Sequence, residues 1–130
     1  MLQVVCAIIE QDNKVLITQR SSQMAQPLLW EFPGGKIDAG ESETGALVRE
    51  IQEELNLLIL PQQRLTPVTH TYGFKTIELI PYTCALQSGE IILAEHMAYS
   101  WVSIDALLDY TWCPADIPIV EEYIRLKQEL

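Results

Sequence analysis

The sequence predicts an α/β or α+β layered domain, on three observations. Apolar runs of β character open the chain and fill its middle, one strongly amphipathic helical stretch lies between them, and helical patterns close it. At 130 residues the chain is long enough to bury one core and too short for two, so residues 1–130 are read as a single domain. No fixed-period repeat or low-complexity segment interrupts it.

Residues 2 to 10 and 14 to 19 (KVLITQ) read as strands, and the intervening QDN is turn-like, which predicts an early hairpin. The polar connection SSQMAQP leads into LLWEFPGG, an apolar patch that stops at Pro33, Gly34 and Gly35. A helix is expected from Ser42 or Glu43 to Leu55. Its wheel gathers Leu47, Val48, Ile51 and Leu55 on one side and Glu50, Glu53 and Glu54 on another. Asn56 follows where a left-handed residue ends a helix.

LLIL, RLTPVTHTY and KTIELIPYTCAL supply further strands, the last two pairing around Tyr72 to Lys75, and SWVS supplies a short one. Ser103 is placed to cap a short helix, IDALLDY. A final helix is expected from about Asp116 through VEEYIRLKQEL.

A formal charge of −10 argues against coating a nucleic-acid polymer, which needs clustered Lys and Arg on the phosphates. A small phosphorylated ligand is compatible with that charge if a divalent cation mediates. No run resembles a membrane span, and MLQVVCAIIEQD lacks the basic start of a signal peptide. Cys6, Cys84 and Cys113 are odd in number, widely spaced and without a CxxC pair, as expected of free thiols in a cytoplasmic protein.

The helix poses a physical problem. Like charges at spacings of three and four repel, each pair destabilising a helix by roughly 0.2 to 0.5 kcal/mol, and Glu50, Glu53 and Glu54 sit at those spacings. Their carboxylates project from a common face, and a hard cation with oxygen ligands turns the repulsion into attraction. A solvated acidic face is the plain alternative. Two features favour the cation: the Pro-Gly-Gly that precedes the helix, whose backbone can approach a ligand closely, and Arg49, which can pair with Glu41 or a neighbour and hold the acids in position.

Gly35, five residues, Glu41, seven residues, then Arg49-Glu50-Ile51-Gln52-Glu53-Glu54 and Leu57 resemble the signature box of the Nudix hydrolases. One position departs: Asn56 stands where the family has Gly, a residue that caps the helix and does no chemistry. ITQR, WEFPGGK and PADIPIV extend the resemblance over nearly the whole chain, to the MutT-like and the CTP pyrophosphohydrolase branches of that family.

The resemblance implies a mixed β-sheet sandwiched between α-helices and hydrolysis of a nucleoside triphosphate to the monophosphate and pyrophosphate by attack at the β-phosphorus. It implies Mg²⁺ as cofactor, with Mn²⁺ as a substitute. The ligands would be Glu50 and Glu54, completed by Glu53 and the Gly35 carbonyl, with Glu41 behind them and Arg49 orienting the carboxylates. Glu95 would add a further carboxylate, with Glu90 its nearest competitor, and either Glu53 or Glu95 would activate the water. Arg20 and Lys36 are the cations expected on the phosphates.

For the base, the resemblance offers Phe32, Tyr72 and Lys75, with Asp116 reading the base edge; Asp116 could equally be a helix cap. An ionised Asp116 only accepts hydrogen bonds, which suits the adjacent N1–H and 2-amino donors of guanine or 8-oxoguanine. On that ground 8-oxo-dGTP is the expected substrate, with CTP or dCTP as the alternative. Trp30, Trp101 and Trp112 are read as core or pocket wall, and His70 and His96 as structural. The expected partner is the nucleotide alone, on a monomer or weak homodimer. Two other readings are a non-catalytic nucleotide-binding domain, which loss of the box carboxylates would favour, and an enzyme for nucleotide sugars or dinucleoside polyphosphates.

Overall fold

The computed structural model describes residues 1–129, which form an eight-stranded mixed sheet with a helix on each face. Strand β1 (Leu2–Gln11) turns through Asp12 and Asn13, both at positive φ, into β2 (Lys14–Gln19). Two consecutive left-handed residues give the twist that a tight hairpin needs, and Asp and Asn tolerate that backbone. Residues Val5 to Ile9 of β1 are all buried. Such a run, without polar alternation, marks a central strand covered on both faces.

The stretch read as an apolar patch contains two short strands, β3 (Trp30–Glu31) and β4 (Gly34–Lys36). β3 pairs with β2, and β4 pairs with the first half of β1. A methyl on Gly34 would lie 1.9 Å from the Val5 carbonyl oxygen, so this approach requires glycine.

Helix α1 (Glu43–Leu55) begins at Ser42, whose hydroxyl accepts from the Gly45 amide, and ends at Asn56, which adopts φ 60° and ψ 33°. Both ends match the sequence expectation. The buried face comprises Ala46, Leu47, Ile51 and Leu55.

β5 (Leu57–Arg64) runs past the expected LLIL, through Pro61, with register irregularities against its partner. Its position at the sheet edge makes the missing amide tolerable. The chain breaks at Leu65–Pro67, so the run RLTPVTHTY yields only β6 (Val68–Tyr72). β6 turns through Gly73 into β7 (Lys75–Gly89), which pairs in its first part with β6, in its later part with β5, and in parallel with β1. β8 (Ala98–Ser103) pairs with β2.

Two expectations fail here. The expected short helix after Ser103 is present as a 3₁₀ segment, Ile104–Asp109, but Ser103 makes no side-chain cap bond. Without that bond the orphan amides of the first turn favour the tighter i to i+3 pattern. The last helix, α2 (Ile117–Gln128), starts just after Asp116, but the Asp116 side chain does not cap it. Leu130 lies outside the described residues.

Two apolar layers cover the sheet. Val5, Ala7, Ile9, Ile80 and Cys84 pack with the buried face of α1, while Cys6, Ile8, Ile17 and Val102 pack with Ile119, Val120 and Tyr123 of α2. At about 25 cal/mol per Å² of apolar surface, side chains of this size are stabilised by roughly 1.5 to 3 kcal/mol each when fully buried. The strand alternation thus anchors α1 rigidly to β1, and α1 carries the acidic residues.

Candidate active site

The box is held by a charge network around Arg49. Its Nε donates to Glu41 Oε2 at 2.7 Å and its Nη2 to Glu41 Oε1 at 2.8 Å, a bidentate pair. Its Nη1 donates to Glu50 Oε1 at 2.8 Å and Glu53 Oε2 at 3.3 Å, and its Nη2 also reaches the Lys36 carbonyl at 3.1 Å. Hydrogen bonds from Arg49 and the Asp38 amide hold the Glu41 carboxyl down at about 2. One guanidinium therefore joins the acids of α1 to the glycine loop.

The three helix glutamates do not face one point. Glu53 is exposed and turns to Arg49, whereas Glu54 points inward. Glu54 Oε2 is buried and has no hydrogen-bond partner among the described residues. Burial, and then the charges of Glu50, Glu31 and Glu95, push the Glu54 carboxyl up to about 8. A methyl on Gly35 would lie 2.2 Å from Glu50 Oε2, so the loop backbone is in contact with the Glu50 carboxylate.

These observations fit a hard divalent cation. An orphaned buried carboxylate oxygen, surrounded by other carboxylates and beside an open backbone, lacks only positive charge, and all the donors are oxygen. Glu50, Glu54 and the Gly35 carbonyl are the groups that could hold it.

Glu95 lies on the loop before β8. Ile92 and Ala94 donate to the carbonyls of Leu55 and Glu54 at 3.0 and 3.1 Å, and Asn56 Nδ2 donates to the Glu90 carbonyl at 3.1 Å. The loop thus satisfies the last turn of α1, whose carbonyls would otherwise be orphaned. Glu95 enters the field at Glu54 through this tie, while the backbone of Glu90 is committed to Asn56.

A cleft of about 310 Å³ opens beside Glu54, and Arg20, Phe32, Lys36, Tyr72, Lys75 and Asp116 all line it. Six residues scattered over β2 to the start of α2 are brought together by the fold. Asp116 is buried, and its Oδ2 accepts from the Phe32 amide at 3.0 Å across 84 positions of sequence. That bond replaces the helix-capping role. Burial, and then the neighbouring charge of Glu31, push the Asp116 carboxyl well above the usual range. The Tyr72 hydroxyl accepts from the Ala115 amide at 3.2 Å and ties β6 to this segment. Phe32 packs on Trp112, ring centroids 4.9 Å apart, as pocket wall.

Sequence reasoning passes over Glu31 and reads His96 as structural, yet both line the cleft. Glu31 Oε1 accepts from Arg20 Nη1 at 2.9 Å, and its Oε2 pairs with His96 Nε2 at 2.8 Å. Arg20, expected on phosphate, is thus engaged with Glu31. His96 is buried, and its Nδ1 has no partner. The available signal was WEFPGG itself, an acid within an apolar run, because such an acid is seldom buried without a partner. Among the described residues, Glu31, Cys113 and Asp116 are the group whose ligand-type atoms lie within 4.8 Å of one another. His70 stands apart, its ring tilted against Tyr72 with centroids 4.4 Å apart.

Comparison with known proteins shows the family and the fold. The NUDIX domain model matches residues 1–123. The chain is 38% identical over 127 residues to the CTP pyrophosphohydrolase of Escherichia coli K12, covering 98% of this chain and 94% of that one. It is 35% identical over 123 residues to the 8-oxo-dGTP diphosphatase of Buchnera aphidicola, covering 95% and 93%. The crystal structure of the MutT protein from Methanosarcina mazei superposes with a TM-score of 0.86 at 25% identity, covering 99% and 96%. On the domain match and these relatives, the chain belongs to the Nudix family, as a hydrolase of the MutT type acting on a phosphoric anhydride of a nucleotide.

Proposed function

We propose that the protein is a Mg²⁺-dependent nucleoside triphosphate pyrophosphohydrolase that releases a nucleoside monophosphate and pyrophosphate. The observation that carries this reading is the continuity of the cleft: the residues suited to a nucleoside line the same cavity as the orphaned carboxylate of Glu54. When bound, a divalent cation would neutralise phosphate charge and lower the pKa of a water molecule.

The remaining roles fall to side chains. Glu50, Glu54 and the Gly35 carbonyl form the ligand set, with Glu53 at its exposed edge. Glu95 takes the proton of the attacking water, since it contributes to the field at Glu54 while Glu53 is turned to Arg49. Lys36 and Lys75, exposed at the cleft rim, meet the phosphates. Phe32 and Tyr72 flank the base, and Asp116 reads its edge.

The buried state of Asp116 changes the reason for choosing a base. A neutral carboxyl offers one donor and one acceptor, as Asn does. That pattern matches N3 and the 4-amino group of cytosine, so CTP or dCTP becomes the first reading, in line with similarity to a CTP pyrophosphohydrolase. 8-oxo-dGTP is the second reading, supported by the relatives named for it and by its O6 and N7–H, which offer the same pattern. The test is kcat/KM with Mg²⁺ for CTP, dCTP, 8-oxo-dGTP and dGTP, because specificity is a ratio of those values. A cytosine nucleotide should lead; 8-oxo-dGTP or dGTP at or above it would refute the cytosine assignment.

A further inference from the structure

We infer that Glu31 and Asp116 share a single proton in the free protein and that the proton resides on Asp116, so that Glu31 is the positioning residue that sets which hydrogen-bonding face Asp116 turns to the base. The consequence for specificity rests on the reading of the cleft as a base pocket; the proton allocation does not.

The geometry is that of two acids sharing one site. Carboxylate oxygens of Glu31 and Asp116, with Cys113 Sγ, lie within 4.8 Å of one another. Two like charges so close in a poorly solvated cleft resist ionising together. The surroundings decide which acid keeps the proton. Glu31 has Arg20 on one oxygen and His96 on the other, at 2.9 and 2.8 Å. Asp116 is 4% exposed, and its single protein partner is the neutral Phe32 amide. The clamped acid carries the charge and the unclamped one is neutral.

No other group facing the pair reverses this. Arg20, just after β2, and His96, on the loop before β8, are both engaged with Glu31; from β6 comes Tyr72, a phenol raised by burial. Cys113, on the segment leading to α2, is a thiol pushed up to about 12 by burial and then by Asp116 and Glu31. Cys6 beneath, on β1, is raised as well by burial and then by Asp116. All three are neutral at pH 7, so Arg20 and Glu31 supply the fixed charges against which Asp116 titrates.

The Phe32 amide also orders the two oxygens of Asp116. Oδ2 is fixed as an acceptor, which leaves the proton on Oδ1 as a donor toward the cleft. The result is a carboxylic acid that presents an amide-like edge. A base with an acceptor beside a donor fits that edge, whereas two adjacent donors leave one group unpaired, at a cost of about 1 to 3 kcal/mol for a buried group.

Glu31→Gln keeps the size of the side chain and its bond to Arg20 but removes the anion. Asp116 should then ionise at lower pH. The direct readout is the ¹³Cγ titration of Asp116 in the metal-free, substrate-free protein, its resonance identified by loss in Asp116→Asn. In the wild type Asp116 should be protonated at pH 7, and in Glu31→Gln its titration should move to lower pH. At a pH above the Asp116 titration in Glu31→Gln and below that in the wild type, Glu31→Gln should lose about tenfold or more in kcat/KM for CTP, and Glu31→Gln with Asp116→Asn should recover most of it, since an amide needs no proton to keep its donor.

An ionised Asp116 in the wild type at pH 7, or a titration unmoved by Glu31→Gln, overturns the shared proton. Failure of Asp116→Asn to rescue the Glu31→Gln kinetics, with the titration behaving as stated, overturns the role in specificity. A protein that hydrolyses none of the four triphosphates yet shows a neutral Asp116 refutes the proposed function and upholds the pair.

Discussion

Gly35 stands so close to Glu50 that a single methyl group would separate them: a Cβ on Gly35 would fall 2.2 Å from Glu50 Oε2 and 2.3 Å from its Cδ. The contact joins the glycine loop to the acidic helix at the point where both could meet a cation. Gly35→Ala therefore should displace the Glu50 carboxylate while leaving the fold, because the atoms it meets belong to a side chain. Disturbing a ligand's support typically costs 10 to 100-fold in metal affinity or activity. A loss of about that size in apparent Mg²⁺ affinity, with thermal stability kept, is expected; unchanged affinity would place the metal elsewhere. Gly34→Ala provides the contrast, since its Cβ would meet the Val5 backbone at 1.9 Å and the protein should lose stability outright.

Arg49→Lys tests the network behind the box. A lysine cannot make the bidentate pair with Glu41 while also reaching Glu50, Glu53 and the Lys36 carbonyl. Partial exposure of these groups keeps the loss of stability small, and urea unfolding measures it. Metal affinity should fall with it. A variant with wild-type stability and metal affinity would show that Arg49 organises nothing.

The box was legible because its determinants are local. Ser42, Asn56 and the spacing of Leu47, Ile51 and Leu55 follow rules that act within one or two helical turns, and the folded helix obeys them. The six cleft residues came from resemblance, and the fold does gather them. What escaped was made by distant pairing. Glu31 gains its meaning from Arg20 across the β2 to β3 pair and from His96, 65 positions away. Asp116 reads as a cap until the Phe32 amide arrives from the far side of the sequence. The short helix after Ser103 is legible but its cap bond is not, since a favourable cap residue guarantees no cap bond.

The pH dependence of the metal-free protein follows from Glu54. Its carboxyl is raised from 4.5 to about 8 in the fold, by burial first and then by Glu50, Glu31 and Glu95. The folded value lies above the unfolded one, so the contribution of this group to stability is complete below about 4.5 and is lost as pH rises through about 8. The Tm of the metal-free protein should fall across that window, and Mg²⁺ should restore it most at the alkaline end. Calorimetry in buffers of different ionisation heat should show proton release on Mg²⁺ binding at pH 7. Binding without proton release would mean that Glu54 is already ionised or is not a ligand.

The products report the position of attack. Hydrolysis in ¹⁸O-labelled water should place the label in pyrophosphate, as attack on the β-phosphorus requires. Label in the monophosphate would move the attack to the α-phosphorus and remove Glu95 from the role given to it.

The central claim is that the buried acid of α1 binds the catalytic cation, and Glu54→Gln measures it most directly. The substitution keeps shape and removes the anion. With saturating Mg²⁺ and the preferred triphosphate, kcat should drop by about 10² or more while circular dichroism shows the fold intact, and excess EDTA should abolish wild-type turnover. Turnover at the wild-type rate by Glu54→Gln, or by the wild type in EDTA, would contradict it.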